Sequence, residues 1–218
     1  MLALSTLSFN TYANTWTVSA TGTISAGYDE SGVFGVAGQD LTGLTFKQSI
    51  TVSVDPALWT NQGEYSVSGW GPDFKQTTTV NGVTNSYEGY WTYGEQYISN
   101  GVSSGRHGYF DWASSYVSGT VQDDMSQYAL TGFLSVRSAI TPFVATSDFS
   151  QTLTVIPDST YIASAQFILF GVGRDTRFNA YSIDSITINA VPEPETYALL
   201  LAGLGLVGVV ARRRRVAA

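Results

Sequence analysis

Cysteine is absent from all 218 residues. That excludes a disulfide framework, a thiol nucleophile and a thiolate metal site. It also leaves the compartment unmarked by redox chemistry. Histidine occurs once, at His107. A zinc site would need carboxylates for its remaining ligands, and a triad would have this imidazole as its only base. Charged residues are scarce at 12% of the chain, about half the usual share. Helical periodicity is nearly missing from residues 14–190. Basic side chains are few: residues 1–190 hold Lys47, Lys75, Arg106, Arg137, Arg174 and Arg177 against fifteen carboxylates. An acidic body argues against a nucleic-acid partner, because phosphate binding needs a basic face.

What fills the polar positions is Ser, Thr, Gly and Asn. Strand patterns recur through them. "TWTVSATGTIS" alternates Trp16, Val18 and Ala20 with Thr17, Ser19 and Thr21. "LTFKQSITVSVD" sets Leu44, Phe46, Gln48, Ile50, Val52 and Val54 on one side, with Gln48 breaking the face. Asn81-Gly82 lies between two strand-like halves and signals a tight hairpin. Roughly nine to twelve short strands are expected. They predict an all-β fold, a single β-sandwich or jelly-roll-like ectodomain over 14–190, followed by one C-terminal hydrophobic helix.

The chain closes on "VPEPETYALLLAGLGLVGVVARRRRVAA". Residues 197–211 carry no charge and would form a helix about 22 Å long. A bilayer core is about 30 Å thick, so the run is short for a permanent span. Arg212, Arg213, Arg214 and Arg215 would stay on the cytoplasmic side and place the body across the membrane. Pro192 and Pro194 keep the preceding backbone extended and open to a processing enzyme. Gly203, Gly205 and Gly208 are not four apart, so no GxxxG pairing face is implied.

Pro192-Glu193-Pro194, the apolar run 197–211 and the arginines 212–215 closely resemble the PEP-CTERM sorting signal of Gram-negative bacteria. The resemblance covers residues 191–218. It implies an exosortase-type processing enzyme as partner and a transient stay in the inner membrane. It implies release to the cell surface or an exopolysaccharide matrix. The same kind of tail is also labelled after ice-binding proteins, which describes the tail and not the body. A second stretch, with Gly27, Asp29, Gly32, Phe34, Gly35, Asp40, Leu41 and Gly43, is similar to openings found in PEP-CTERM proteins of unknown function. Physically, its glycines permit tight turns and Phe34 would staple the loop to the core.

An exported protein needs an export signal. Residues 1–13 read either as a signal peptide whose start is lost, with a small-x-small site ending at Ala13, or as a first β-strand.

Candidate chemistry is thin. Ser104, His107 and Asp111 are close in sequence, but no G-x-S-x-G elbow is present, and His107 reads as a loop residue. Calcium is the better metal, with Asp29-Glu30 and Asp123-Asp124 as oxygen donors. Neither pair matches a calcium loop, so surface turn carboxylates are expected and no cofactor is assigned. Glu88, Glu95 and Asp111 could supply the two acids of a glycoside hydrolase. Any acidic β protein offers such pairs by chance.

Aromatic residues are more telling. Nine of the thirty residues from 87 to 116 are aromatic. Core packing is the first expectation for any one ring. Six of the nine are tyrosines, however, and each hydroxyl wants a partner. The alternative is a platform that stacks on sugar rings, with Tyr87, Trp91, Tyr93, Tyr97 and Trp112 as its members. These features predict a non-enzymatic surface or matrix protein that engages exopolysaccharide. A secreted carbohydrate-active enzyme and a permanently membrane-anchored structural protein remain the alternatives.

Overall fold

The structure is a computed structural model. It describes residues 15–53, 59–61, 65–68, 74–104, 108–123, 126–146, 151–171, 174–191 and 203–204. Fourteen strands form among these residues, all paired antiparallel. The excess over the expected number comes from pieces of two to four residues, too short for an alternation to register.

Sheet A runs in the order β11 (Leu153–Val155), β14 (Ser182–Val191), β1 (Thr15–Thr23), β4 (Thr45–Ser53), β7 (Phe74–Val80) and the first part of β8 (Val83–Ser104). Sheet B starts from the second part of β8. It continues through β9 (Gly108–Asp123), β10 (Ser126–Ser138), β12 (Ile162–Gly171), β13 (Arg174–Ala180), β2 (Ala26–Asp29) and β3 (Gln39–Asp40). Beside β8 lies a short ribbon of β6 (Tyr65–Ser68) and β5 (Trp59–Asn61).

The expected alternation holds in β1, where Trp16, Val18 and Ala20 are buried and Thr17, Ser19 and Thr21 face outward. In β4 the buried residues include Phe46, Gln48, Ile50 and Val52; Val54 lies outside the described residues. Gln48 does not break this face. It is fully buried, and its Nε2 donates to the Gln166 carbonyl of the opposite sheet at 3.0 Å. A buried amide is tolerable when it is hydrogen-bonded, so Gln48 ties the two layers. Gln76, Thr78, Gln96 and Ser115 are buried there too, and Ser115 Oγ donates to Gln96 Oε1 at 2.6 Å, while aromatic rings fill much of the remaining interlayer. Phe167 and Phe178 of sheet B stack at 5.7 Å, and Phe46 of sheet A meets Phe178 at 5.3 Å.

The hairpin forms as expected at Asn81-Gly82. Both residues have positive φ, +48° and +86°, as a two-residue turn between twisted strands requires. Gly132 meets a different need. The Gln76 side chain lies directly against it, and any Cβ there would collide.

β8 is the hinge of the architecture. Its first part pairs with β7 and its second with β9 and β6. Between Tyr90 and Tyr93 the register against β9 slips by one residue. Such a bulge bends the strand and exchanges its faces. Odd positions point inward before it, as Tyr87 does beside Phe167, and outward after it, as Tyr97 does.

The expected C-terminal helix falls mostly outside the described residues; Gly203 and Leu204 are helical. Among the described residues, no helix is long and apolar enough to cross a membrane.

Candidate functional site

The outer face of sheet B gathers the rings. On β9 the inward residues are Asp111, Ala113, Ser115 and Val117, and the outward ones are Phe110, Trp112, Ser114 and Tyr116. The register then fixes their neighbours. Tyr97 on β8 lies opposite Ser114, and Glu95 opposite Tyr116. On β10, Phe133 lies opposite Tyr116 and Arg137 opposite Trp112. Tyr97 and Trp112 sit with centroids 4.6 Å apart, and Phe110 and Trp112 are 6.0 Å apart. Tyr116 and Phe133 meet edge-on at 6.5 Å. The Trp112 indole N–H donates to Ser135 Oγ at 2.9 Å. That bond fixes the ring's tilt on a half-exposed surface, where packing alone would leave it freer.

The structure therefore splits the five platform residues. Tyr97 and Trp112 belong to one outer cluster. Tyr87 does not: it faces the interior of sheet A and packs on Phe167 at 6.0 Å. Positions 87, 91, 93 and 97 share parity, which puts them on one face of an unbroken strand, and the bulge undoes it. The side chains of Trp91 and Tyr93 lie outside the described residues. Core packing, the first expectation for any single ring, fails for Phe110, Trp112 and Tyr116, which all lie on the solvent side of sheet B.

The three candidate acids are not brought together. Glu88 is on the outer face of sheet A, paired with Lys75 at 3.0 Å. Glu95 is on the outer face of sheet B. Asp111 points inward and is 5% exposed. Its Oδ1 accepts from the Gly101 N–H at 2.9 Å. Its Oδ2 accepts from the Phe143 and Val144 N–H groups at 2.6 and 2.8 Å. These bonds hold the segment after β10 against the end of the sandwich and leave Asp111 a structural carboxylate. His107, the other half of that sequence cluster, lies outside the described residues.

Asp29 behaves alike and corrects the expectation of a surface turn. It is fully buried. It accepts from the Val33 and Phe34 N–H groups at 2.9 and 2.7 Å and from Thr176 Oγ1 at 2.7 Å. Phe34 is driven into the core against Phe167, as the staple reading expected. With its oxygens so occupied, Asp29 is a loop organiser rather than a calcium ligand. Among the described residues, no three His, Asp or Glu side chains are grouped to hold a metal. The Asp123 side chain and Asp124 lie outside the described residues.

Sequence reasoning missed a groove beside the rings. It has a volume of about 320 Å³ and is lined by Phe110, Arg137, Ile140, Tyr161 and Ile162, with Ser138, Ser159 and Thr160 at its floor and rim. Ile140 and Ile162 are 74% and 62% exposed. The one available signal was a lone arginine in the strand pattern "GFLSVRSAI". The lining comes from three separate segments, which no local pattern connects.

The sorting residues Pro192, Glu193, Pro194, Arg212, Arg213, Arg214 and Arg215 lie outside the described residues. Their sequence is nonetheless matched: residues 190–215 fit the PEP-CTERM protein-sorting motif. The chain carries that signal, which implies export, passage through the membrane and processing by exosortase. No curated protein and no solved structure matches the chain.

Proposed function

We propose that this protein is a non-enzymatic surface or matrix protein that binds extracellular polysaccharide on the outer face of sheet B. The observation that carries the reading is the Tyr97–Trp112–Phe110 row, held on the solvent side with the indole fixed by Ser135. Large rings gathered part-buried on an outer face lie outside the core, and a contiguous apolar patch left partly open to solvent marks an interaction site. Sugars offer flat C–H faces edged with hydroxyls. A surface of rings bordered by Ser, Thr and a tyrosine hydroxyl suits both parts of such a ligand. Export and sorting by the tail bring the domain to where such polymers are. The reading needs no metal or cofactor.

The test is retention of the protein on host polysaccharide, made on material recovered from the cell surface. Its intact mass also reports whether the tail has been removed. Replacing Tyr97 and Trp112 together by Ala should lower retention about tenfold or more, as loss of buried aromatic anchors does. Unchanged retention with an intact fold would remove the platform reading. Release of sugar fragments from the polymer would replace it with an enzyme.

A further inference from the structure

We propose that the groove beside the rings is a subsite for a carboxylate-bearing sugar, with Arg137 as its specificity-determining residue. The inference rests on the polysaccharide reading and names the class of polymer. Arg137 lies on the solvent face of β10, directly opposite Trp112 on β9 and opposite Ile162 on β12. The groove it lines opens between Phe110, Tyr161, Ile140 and Ile162. A chain resting on Tyr97 and Trp112 would meet Arg137 next, because Phe110 belongs both to the ring row and to the groove wall.

The arginine is uncommitted. It is exposed and forms no ion pair or side-chain hydrogen bond among the described residues, in a body that carries fifteen carboxylates against six basic side chains. Asp158, next to the groove-lining Ser159, makes no ion pair with it; its Oδ1 accepts from the Thr160 N–H and Oγ1, both at 2.7 Å. A cation on an acidic protein would ordinarily find a carboxylate. Here its planar fork of donors stands against apolar walls, where a ligand carboxylate can bind it bidentately.

The floor around it is rigid and already satisfied. Ser138 Oγ donates to the Thr160 carbonyl at 2.8 Å and accepts from the Ile140 and Thr141 N–H groups at 3.2 and 2.9 Å. Thr141 and Thr160 share a hydroxyl bond of 2.8 Å. With these groups engaged, the guanidinium is the strong polar feature left to read a ligand. A neutral sugar would satisfy the apolar walls and leave it unused. A uronic acid presents a ring face to Phe110 and Tyr161 and a carboxylate to Arg137.

The experiment is calorimetric titration of the full chain with oligogalacturonate, a neutral glucan oligomer of equal length and polyglutamate. The uronate should bind about tenfold or more tighter than the glucan, and more weakly as salt is raised. Arg137→Gln should lose about ten- to hundredfold for the uronate, the range of a charge-assisted hydrogen bond, and leave the glucan unchanged. Its unfolding midpoint should stay that of the parent chain, because the side chain supports nothing else. Arg137→Lys should recover part of the loss, keeping charge without the fork. Equal binding of uronate and glucan, insensitive to Arg137→Gln, overturns the subsite and leaves the ring platform standing. Binding of neither sugar overturns both readings. Polyglutamate binding as tightly as the uronate overturns the sugar assignment, because the groove would then read charge alone.

Discussion

On the outer face of sheet A, Thr17 meets Thr51, Ser19 meets Ser49 and Thr79 meets Thr84, with hydroxyls 2.9, 2.9 and 2.8 Å apart. On the outer face of sheet B, comparable positions hold Tyr97, Trp112, Tyr116 and Phe133. The inner faces of both sheets feed one core. The same alternation builds both layers, so folding does not require the outer faces to differ. Paired hydroxyls spend their hydrogen bonds within the surface and give a low, self-satisfied layer. The rings cover one another only in part and leave some apolar area open to water, which folding would sooner avoid. The contrast separates the face that only completes a sheet from the face proposed to meet a ligand.

Three substitutions break or sharpen this contrast. The largest effect is expected from the support under the aromatic side. Asp111→Ala leaves the N–H groups of Gly101, Phe143 and Val144 without their acceptor. At about 1–3 kcal/mol for each well-buried group, the total loss should be about 3–5 kcal/mol, read from denaturant unfolding. A loss below about 1 kcal/mol would show that the segment after β10 is held by other contacts. A smaller effect is expected on the hydroxyl side. Ser49→Ala and Thr79→Val each remove one exposed or half-exposed pair, and stability should fall by no more than about 1 kcal/mol. Polysaccharide retention should not change; if it fell, binding would belong to sheet A and the contrast would be reversed.

The smallest effect concerns pH in the turn that leads into the groove lining. Asp158 is held below the ordinary aspartate value of 3.8, first by the Thr160 hydroxyl and then by the Thr160 N–H. A carboxylate depressed in the folded state contributes stability above its unfolded value and loses it as pH falls through the folded value. The 158–161 turn should therefore hold at neutral pH and loosen only in strong acid. The amide resonance of Thr160 should titrate with a midpoint below 3.8. A midpoint at or above that value would mean the turn is held without the carboxylate.

Much of the layer structure was legible in the sequence, because burial on one face writes a period of two. Trp16, Val18 and Ala20 announced β1, and Asn81-Gly82 announced the β7–β8 hairpin. The tail was legible because its three parts are contiguous. The site was less so. A parity reading assumes an unbroken strand, and the slip between Tyr90 and Tyr93 sends Tyr87 inward and Tyr97 outward. Asp29 and Asp111 looked like turn or catalytic acids, since sequence does not show which N–H groups will close on a carboxylate. Two of Asp111's partners come from more than thirty residues away. Arg137 entered only the count of basic residues, because the groove it lines is assembled from three separate segments.

The last strand before the tail, β14, is no edge strand. It is hydrogen-bonded to β1 along nine residue pairs and to β11 on its other side. If the tail is held in the membrane while sheet B grips a polymer, as proposed, a pull on the tail would load the domain through the end of β14. Its ladder bonds run across the strand axis, so a load along that axis would fall on many of them at once, in shear, instead of opening them one after another like a zip. A pull of that kind would meet a strand paired on both sides and would not unravel the domain from that end.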